Sequence, residues 1–510
     1  MTFTNKFILF TFTLFILSVA GYNPGQGCKH NLFKDEPTLI DVKEEMLSEK
    51  NRLLATATYP QIRMSTDYTN LLLGSTEFKD YVKTELMPAV VDYFQAALAI
   101  KQPLTSAVKV STTTKTLCGY TTPSVLYTGV TTDFFLLVSS TNDSTSNFVA
   151  SAGGCMLSST TKRPIVATML FNLYYTKAAN GDALIHEKNM YLTMHEMLHA
   201  FGFTGSNMAN FIDASGNTLT GHLKTVLLDG TNRTVLNVEP LTSKLRTYFG
   251  CSTLPGAFLE DDGGSGTAGS HFERRHFLYE AMTSGVIQGL RLSEFSLAVM
   301  EGSGWYMPNY TYADPFFVGQ GEGCGFLYTS CSSSDIFNYN DFCQTTSSRG
   351  CGIVGVSGGV CSTDTRSDGC QYYIPVLDYH CQNADAASNA RFPSLEVYGR
   401  SAGSACFSGN LTTLTKSSQT SFCFKYNCVG SGTTTTLQVY LGSSYFTCKA
   451  EGAVKLASYN GQFNCPDPLT FCSTVGKKAC PRNCMGRGKC VSNQCVCNTG
   501  YTGIDCAMNA

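Results

Sequence analysis

Apolar residues recur at helical spacing at Leu86, Val90, Phe94 and Leu98, which predicts a helix over residues 76–99. Strand-length apolar runs follow at residues 107–110 and 134–138. A third, Arg163-Pro164-Ile165-Val166, leads through a polar loop to Leu192, Met197, Leu198 and Phe201. That last set fits a buried helix over residues 191–203, with Gly202 able to turn left-handed at its end. Residues 204–270 are rich in Asn, Thr and Gly and predict a long mobile loop, after which helical periodicity resumes over residues 281–300. From Cys324 to Cys472 the chain is dense in cysteine and poor in long helical patterns, predicting an irregular β-rich part held by disulfides. Strands, then a buried helix, then a separate β-rich region make this an α+β chain of several domains.

The N-terminus follows another pattern. Lys6, the apolar run at residues 7–17 and the small residues Ser18-Val19-Ala20 are expected to form a secretory signal peptide over residues 1–20. Residues 21–60 carry Lys34, Asp35, Glu36, Asp41, Lys43, Glu44 and Glu45 with little core-forming capacity, and are expected to be a propeptide. No later run has the length of a membrane span, and residues 501–510 lack the tail of a lipid-anchor signal. A net charge of −2 with 15% charged residues offers no basic field for nucleic acid. The 23 cysteines imply a disulfide framework and an extracellular or lumenal setting. Their number is odd: if Cys118 pairs with Cys155, Cys28 is the natural one left over. Asn142, Asn232, Asn309 and Asn410 open glycosylation triplets.

The candidate chemistry lies in His195-Glu196-Met197-Leu198-His199. Two histidines four apart on a helix project from one face, within reach of one tetrahedral metal. Glu196 is one step round, where its carboxylate reaches a metal-bound water and not the ion. A catalytic zinc needs a third protein ligand. The familiar continuation would place a histidine at position 205, where this chain has Gly205. His271 is the first candidate, because a glycine-rich run precedes it and Met282 follows at a distance suited to a turn flooring the site. His276 is its nearest competitor, and Glu280 is the residue that a carboxylate ligand would require.

The residues 195–203, the long insertion, Gly269-Ser270-His271-Phe272-Glu273, Glu280-Ala281-Met282-Thr283, residues 297–306 and Gly323-Cys324-Gly325-Phe326 together resemble the leishmanolysin family of zinc peptidases. The resemblance implies a metzincin-type catalytic domain over residues 61–323, with His195, His199 and His271 as ligands of one zinc ion, Glu196 as the catalytic glutamate and Met282 as the Met-turn residue. It also implies protein or peptide substrates. A cysteine-rich domain would span residues 324–479. The spacing from Cys480 to Cys506 resembles an epidermal-growth-factor-like (EGF-like) module over residues 480–506, whose usual pairing is first with third, second with fourth and fifth with sixth, and which suits association with a cell surface. Family precursors are held latent by a propeptide cysteine, and Gly27-Cys28-Lys29-His30 resembles that context, although Gln26 and Asn31 stand where the family has His and Asp. Phe203, Phe272 and Gly302 also depart from the family pattern without touching the ligands. The other reading is a secreted adhesion protein that keeps a catalytically weak peptidase scaffold and binds through the C-terminal module.

Overall fold

A computed structural model describes residues 37–45 and 59–510, apart from 147, 229, 265, 286, 354, 391, 393, 400–402, 412–420, 458, 474, 476–479 and 492–493. The expected signal peptide and Cys28 therefore lie outside the described residues. A five-stranded sheet is built from β1 (Thr38–Ile40), β2 (Met64–Asp67), β3 (Phe134–Thr141), β4 (Ala150–Ser158) and β5 (Pro164–Asn172), in the order β1-β4-β5-β3-β2. Only the β4–β5 pair is antiparallel. β3 and β5 are apolar along nearly their whole length because both of their faces are covered.

On the sheet lie α1 (Thr76–Tyr81) and α2 (Met87–Ala97), joined through a π-helical turn at Val82–Leu86. Ser75 caps the start by accepting from the Phe78 backbone. The expected helix ends at Ala97, because Leu98–Ile100 is a strand paired with Tyr306–Pro308. Leu98 keeps the helical spacing in the sequence because it is buried there as well. Residues 107–110 make no regular strand. Val108 bridges Val130, and Val110 donates to Leu126 O, in an otherwise irregular loop.

Helix α3 (Ala183–Phe201) is longer than its apolar pattern suggested. Asp182 caps it by accepting from Leu184 and Ile185. Its C-terminus is set by Gly202 at φ 121°, where a Cβ would come within 2.7 Å of the Trp305 ring. Trp305 is fully buried and donates its indole N–H to Thr161 O.

The expected mobile loop after Phe203 is ordered. It holds a hairpin of Leu223–Leu228 and Thr231–Leu236, helix α4 (Leu241–Phe249) and the strand Ala257–Phe258, and it buries Leu236, Leu241, Leu245 and Phe249. Helical periodicity over residues 281–300 also misleads, since helix α5 covers only Glu294–Gly302. Ala281, Met282, Ile287, Leu290 and Leu292 are buried by irregular turns that fold beneath α3.

The cysteine-rich region is β-rich, as expected, with a three-stranded and a four-stranded sheet. Its first part is not independent: Phe326, Leu327, Ile336, Phe342, Tyr372 and Ile374 share the core that surrounds α3, while a second core gathers around Phe407, Phe424 and Phe463. Eleven disulfides use every cysteine except Cys28, with Cys118 joined to Cys155. The last six pair first with third, second with fourth and fifth with sixth, as the EGF-like resemblance implied. No helix among the described residues is long and apolar enough to cross a membrane. The four candidate glycosylation asparagines are all exposed.

Gly202→Ala combines a positive φ with a clash against Trp305, so we expect it to lower unfolding stability by about 2 kcal/mol, read by urea denaturation. A loss smaller than for an Ala substitution on an exposed helix face would contradict this account of the helix end.

Candidate metal centre

The C-terminal half of α3 is buried on every side, from Asn189 to Phe201. His195 and His199 therefore have their orientations fixed by packing as well as by hydrogen bonds. His195 Nδ1 lies 2.6 Å from Ala281 O, and His199 Nδ1 lies 2.6 Å from Phe203 O, just past the glycine that ends the helix. His271 arrives from the far end of the ordered insertion with its Nδ1 2.9 Å from Thr267 O. A carbonyl can only accept, so each Nδ1 carries the proton and each neutral ring presents the lone pair of Nε2.

Those lone pairs converge. One nitrogen from each of His195, His199 and His271 lies within 4.8 Å of the other two, and the Nε2 atoms of His195 and His199 are 2.9 Å apart. Two acceptors at that distance repel unless a cation lies between them, so the donor set fits a divalent metal with nitrogen ligands. Burial holds the His195 pKa down to about 4, although the Ala281 carbonyl works against it, which keeps the ring neutral and available as a ligand. Glu196 is fully buried one residue after His195.

The gap at position 205 has a structural use. Gly205 N–H donates to Ser270 Oγ at 3.1 Å, and a Cβ on Gly205 would come within 3.2 Å of Gly269 O. The position that would carry a third histidine is thus where the chain bringing His271 rests against the end of α3. Beyond His271, Glu260 N donates to His271 O and Phe272 N to Met282 O, which knits the ligand strand to the turn below it.

The other candidates lie elsewhere. His276 Nε2 is 2.9 Å from Leu327 O. Glu280 is turned away from the histidines. Its carboxylate accepts from the backbones of Met282 and Ser293 and from the hydroxyls of Ser293 and Ser296. These bonds shape the turn that presents Ala281 O to His195, and Met282 on that turn is fully buried. The organising role of Glu280 was missed in the sequence, where the signal was a glutamate followed by Ser293-x-x-Ser296. Glu260 was missed too: burial pushes it up to about 7, against hydrogen bonds from Ser284 and the Asp262 backbone.

The segment after His271 is fastened to the cysteine-rich part. Arg274 lies 3.2 Å from Asp364 with both side chains about 1% exposed, and its Nε donates to Tyr372. Arg275 donates to Leu327 O and Thr329 O. The EGF-like module is fastened to α3. Arg482 reaches the Tyr191 hydroxyl, Asp314 and Asp505, while Arg487 Nε meets Asp92 of α2 at 2.8 Å.

Burial raises the Glu280 pKa to about 7 from 4.5, with the four hydrogen bonds opposing. A carboxyl raised in the folded state binds its proton more tightly there than when unfolded, so its contribution is fully present below pH 4.5 and is lost as pH rises through 7. We expect Glu280→Gln to remove this loss. Its stability relative to wild type should improve by about 3 kcal/mol between pH 4.5 and 8, and a difference independent of pH in urea titrations would reject it.

Comparison with known proteins places the chain in a family. The leishmanolysin family profile matches residues 70–486, and a teneurin-like EGF domain matches residues 480–509. The ciliated left-right organizer metallopeptidase of Mus musculus is 30% identical over 356 residues, covering 65% of this chain and 49% of that protein. The leishmanolysin-like peptidase of Drosophila melanogaster is 33% identical over 225 residues, covering 38% of this chain and 32% of the relative. That of Caenorhabditis elegans is 32% identical over 168 residues, covering 27% and 25%. This chain thus spans about half the length, or less, of the curated relatives it matches. With the family profile running from the first helix into the C-terminal module, the chain belongs to the leishmanolysin family of metallopeptidases.

Proposed function

We propose that this protein is a secreted zinc-dependent endopeptidase in which His195, His199 and His271 hold the metal. The observation that carries the reading is the convergence of three buried Nε2 lone pairs beside a buried glutamate. When bound, zinc supplies a Lewis acid that acidifies a water and polarises a scissile carbonyl. The protein's own residues do the rest. The carbonyls of Ala281, Phe203 and Thr267 keep the ligand protons on Nδ1 and the rings aimed. Glu196 takes the proton of the attacking water and returns it to the leaving amine, so no covalent intermediate is needed. Met282, buried on a Met-turn shaped by Glu280, is the floor of the site.

The substrates are proteins or peptides. A net charge of −2 gives no field for nucleic acid. Secretion is supported by the eleven disulfides and the signal-like residues 1–20. The EGF-like module, with Val491 52% and Val496 56% exposed, is the surface through which the enzyme associates with cells. Latency of the precursor rests on Cys28, whose thiolate is a good fourth ligand for zinc and displaces the water the reaction needs.

Casein hydrolysis by the processed protein, abolished by a zinc chelator, tests the function. An inactive protein with a full zinc complement would favour the adhesion reading. Glu196→Gln is expected to keep one zinc and lose roughly 10²–10⁴-fold in kcat, whereas His271→Ala loses the zinc as well. Normal turnover with retained zinc in the His271 variant would assign the third ligand to another residue. Cys28→Ala is expected to make the unprocessed precursor active, and unchanged latency would reject the cysteine switch.

A further inference from the structure

Residues 21–60 were expected to be a removable leader with little capacity for a core, yet part of that stretch belongs to the catalytic sheet. β1 pairs in parallel with Met156–Ser158 of β4, and Ile40, 7% exposed, sits in a cluster with Leu104 and Val166. The next residues are stitched to another element: Lys43 N donates to Ser106 Oγ, Thr105 N to Lys43 O, and Glu45 N to Pro103 O. Between these two edges Glu44 turns inward, its side chain 2% exposed. Its carboxylate accepts from Ser158 Oγ at 2.6 Å and Thr161 Oγ1 at 3.0 Å, and it lies 3.4 Å from the fully buried guanidinium of Arg163.

Arg163 has neutral partners besides, donating to Asp133 O and Gln102 O, but Glu44 is the carboxylate it meets. Removing the leader would leave a buried cation without its counter-charge, which is costly, whereas carbonyls alone suffice only for its geometry. The site also touches the metal helix indirectly. Thr161, which holds Glu44, accepts the Trp305 indole N–H, and Trp305 packs on Gly202 at the end of α3.

We propose that the edge of β4, the 103–106 loop and the Arg163 pocket form a docking groove for one extended strand bearing a carboxylate. Its occupant is the chain's own segment 37–45, which stays with the catalytic domain after the chain is cut between residue 45 and residue 59. Main-chain pairing gives the strand its register, and Glu44 gives it its specificity. The proposal rests on residues 21–60 being a leader that is cut, but not on Cys28 or on catalysis.

The test inserts a site-specific protease sequence between Lys50 and Asn51 of the full-length protein and follows the nicked protein by gel filtration at physiological salt. The N-terminal fragment is expected to co-elute with the rest of the wild-type chain. With Glu44→Ala it is expected to leave, its dissociation constant raised roughly a hundredfold or more. Separation of the wild-type fragment, or equal retention of the Glu44→Ala fragment, would overturn the proposal. Because the variant could fail to fold, a second measurement uses nicked wild-type protein alone. A synthetic peptide of residues 37–45 should displace the fragment and its Glu44→Gln form should not, and equal displacement by the two would be contrary. Peptidase activity of the nicked complex is recorded separately, so failed catalysis and failed docking remain distinguishable.

Discussion

Three neutral imidazoles that aim their lone pairs at one point repel each other, and the surrounding protein must hold them there. The holding is done by backbone carbonyls, one for each ring, taken from three places: the turn at Ala281, the residue after the α3 terminus, and the glycine-rich approach to His271. Two of these carbonyls are in turn fixed by something else. Gly202 and Trp305 fix the chain that carries Phe203 O, and the Glu280 carboxylate fixes the turn that carries Ala281 O. The histidine cluster is the convergence of three braced segments, two of which are tied together by the Phe272 N–H donating to Met282 O.

This bracing extends past any boundary drawn at residue 324. The strand that delivers His271 continues into Arg274 and Arg275, whose guanidinium groups are buried against Asp364, Tyr372 and the carbonyls of Leu327 and Thr329. Buried arginines that lose such partners are strongly destabilising. The cysteine-rich region therefore bears on the geometry of His271, the proposed third ligand, and its disulfides limit how far that support can relax.

The α3 site was legible in the sequence because helix periodicity alone puts residues 195 and 199 on one face, and because Gly202 marks the end. His271 was legible as a candidate and the structure brings it in, while His276 and Glu280, equally near in sequence, are engaged elsewhere. What misled was burial without regular structure. Residues 281–292 have the apolar density of a helix, yet they are buried as turns, one of them held by the Met282 N–H donating to the Glu280 carboxylate. The insertion after Phe203 misled in the opposite way, its polar composition hiding Leu236, Leu241, Leu245 and Phe249 in the core. The charged leader did the same, since Glu44 looks like a solvated residue until Arg163 is placed opposite it. Pairing across more than a hundred residues leaves no local signature.

Arg482 and Arg487 bolt the EGF-like module onto α3 and α2. A module attached in that way is a handle and not a leash. These ties hold the outer face of the module at one bearing to the histidine cluster. In the proposed peptidase, the distance from the outer face of the module to the histidine cluster would set which bonds come within reach.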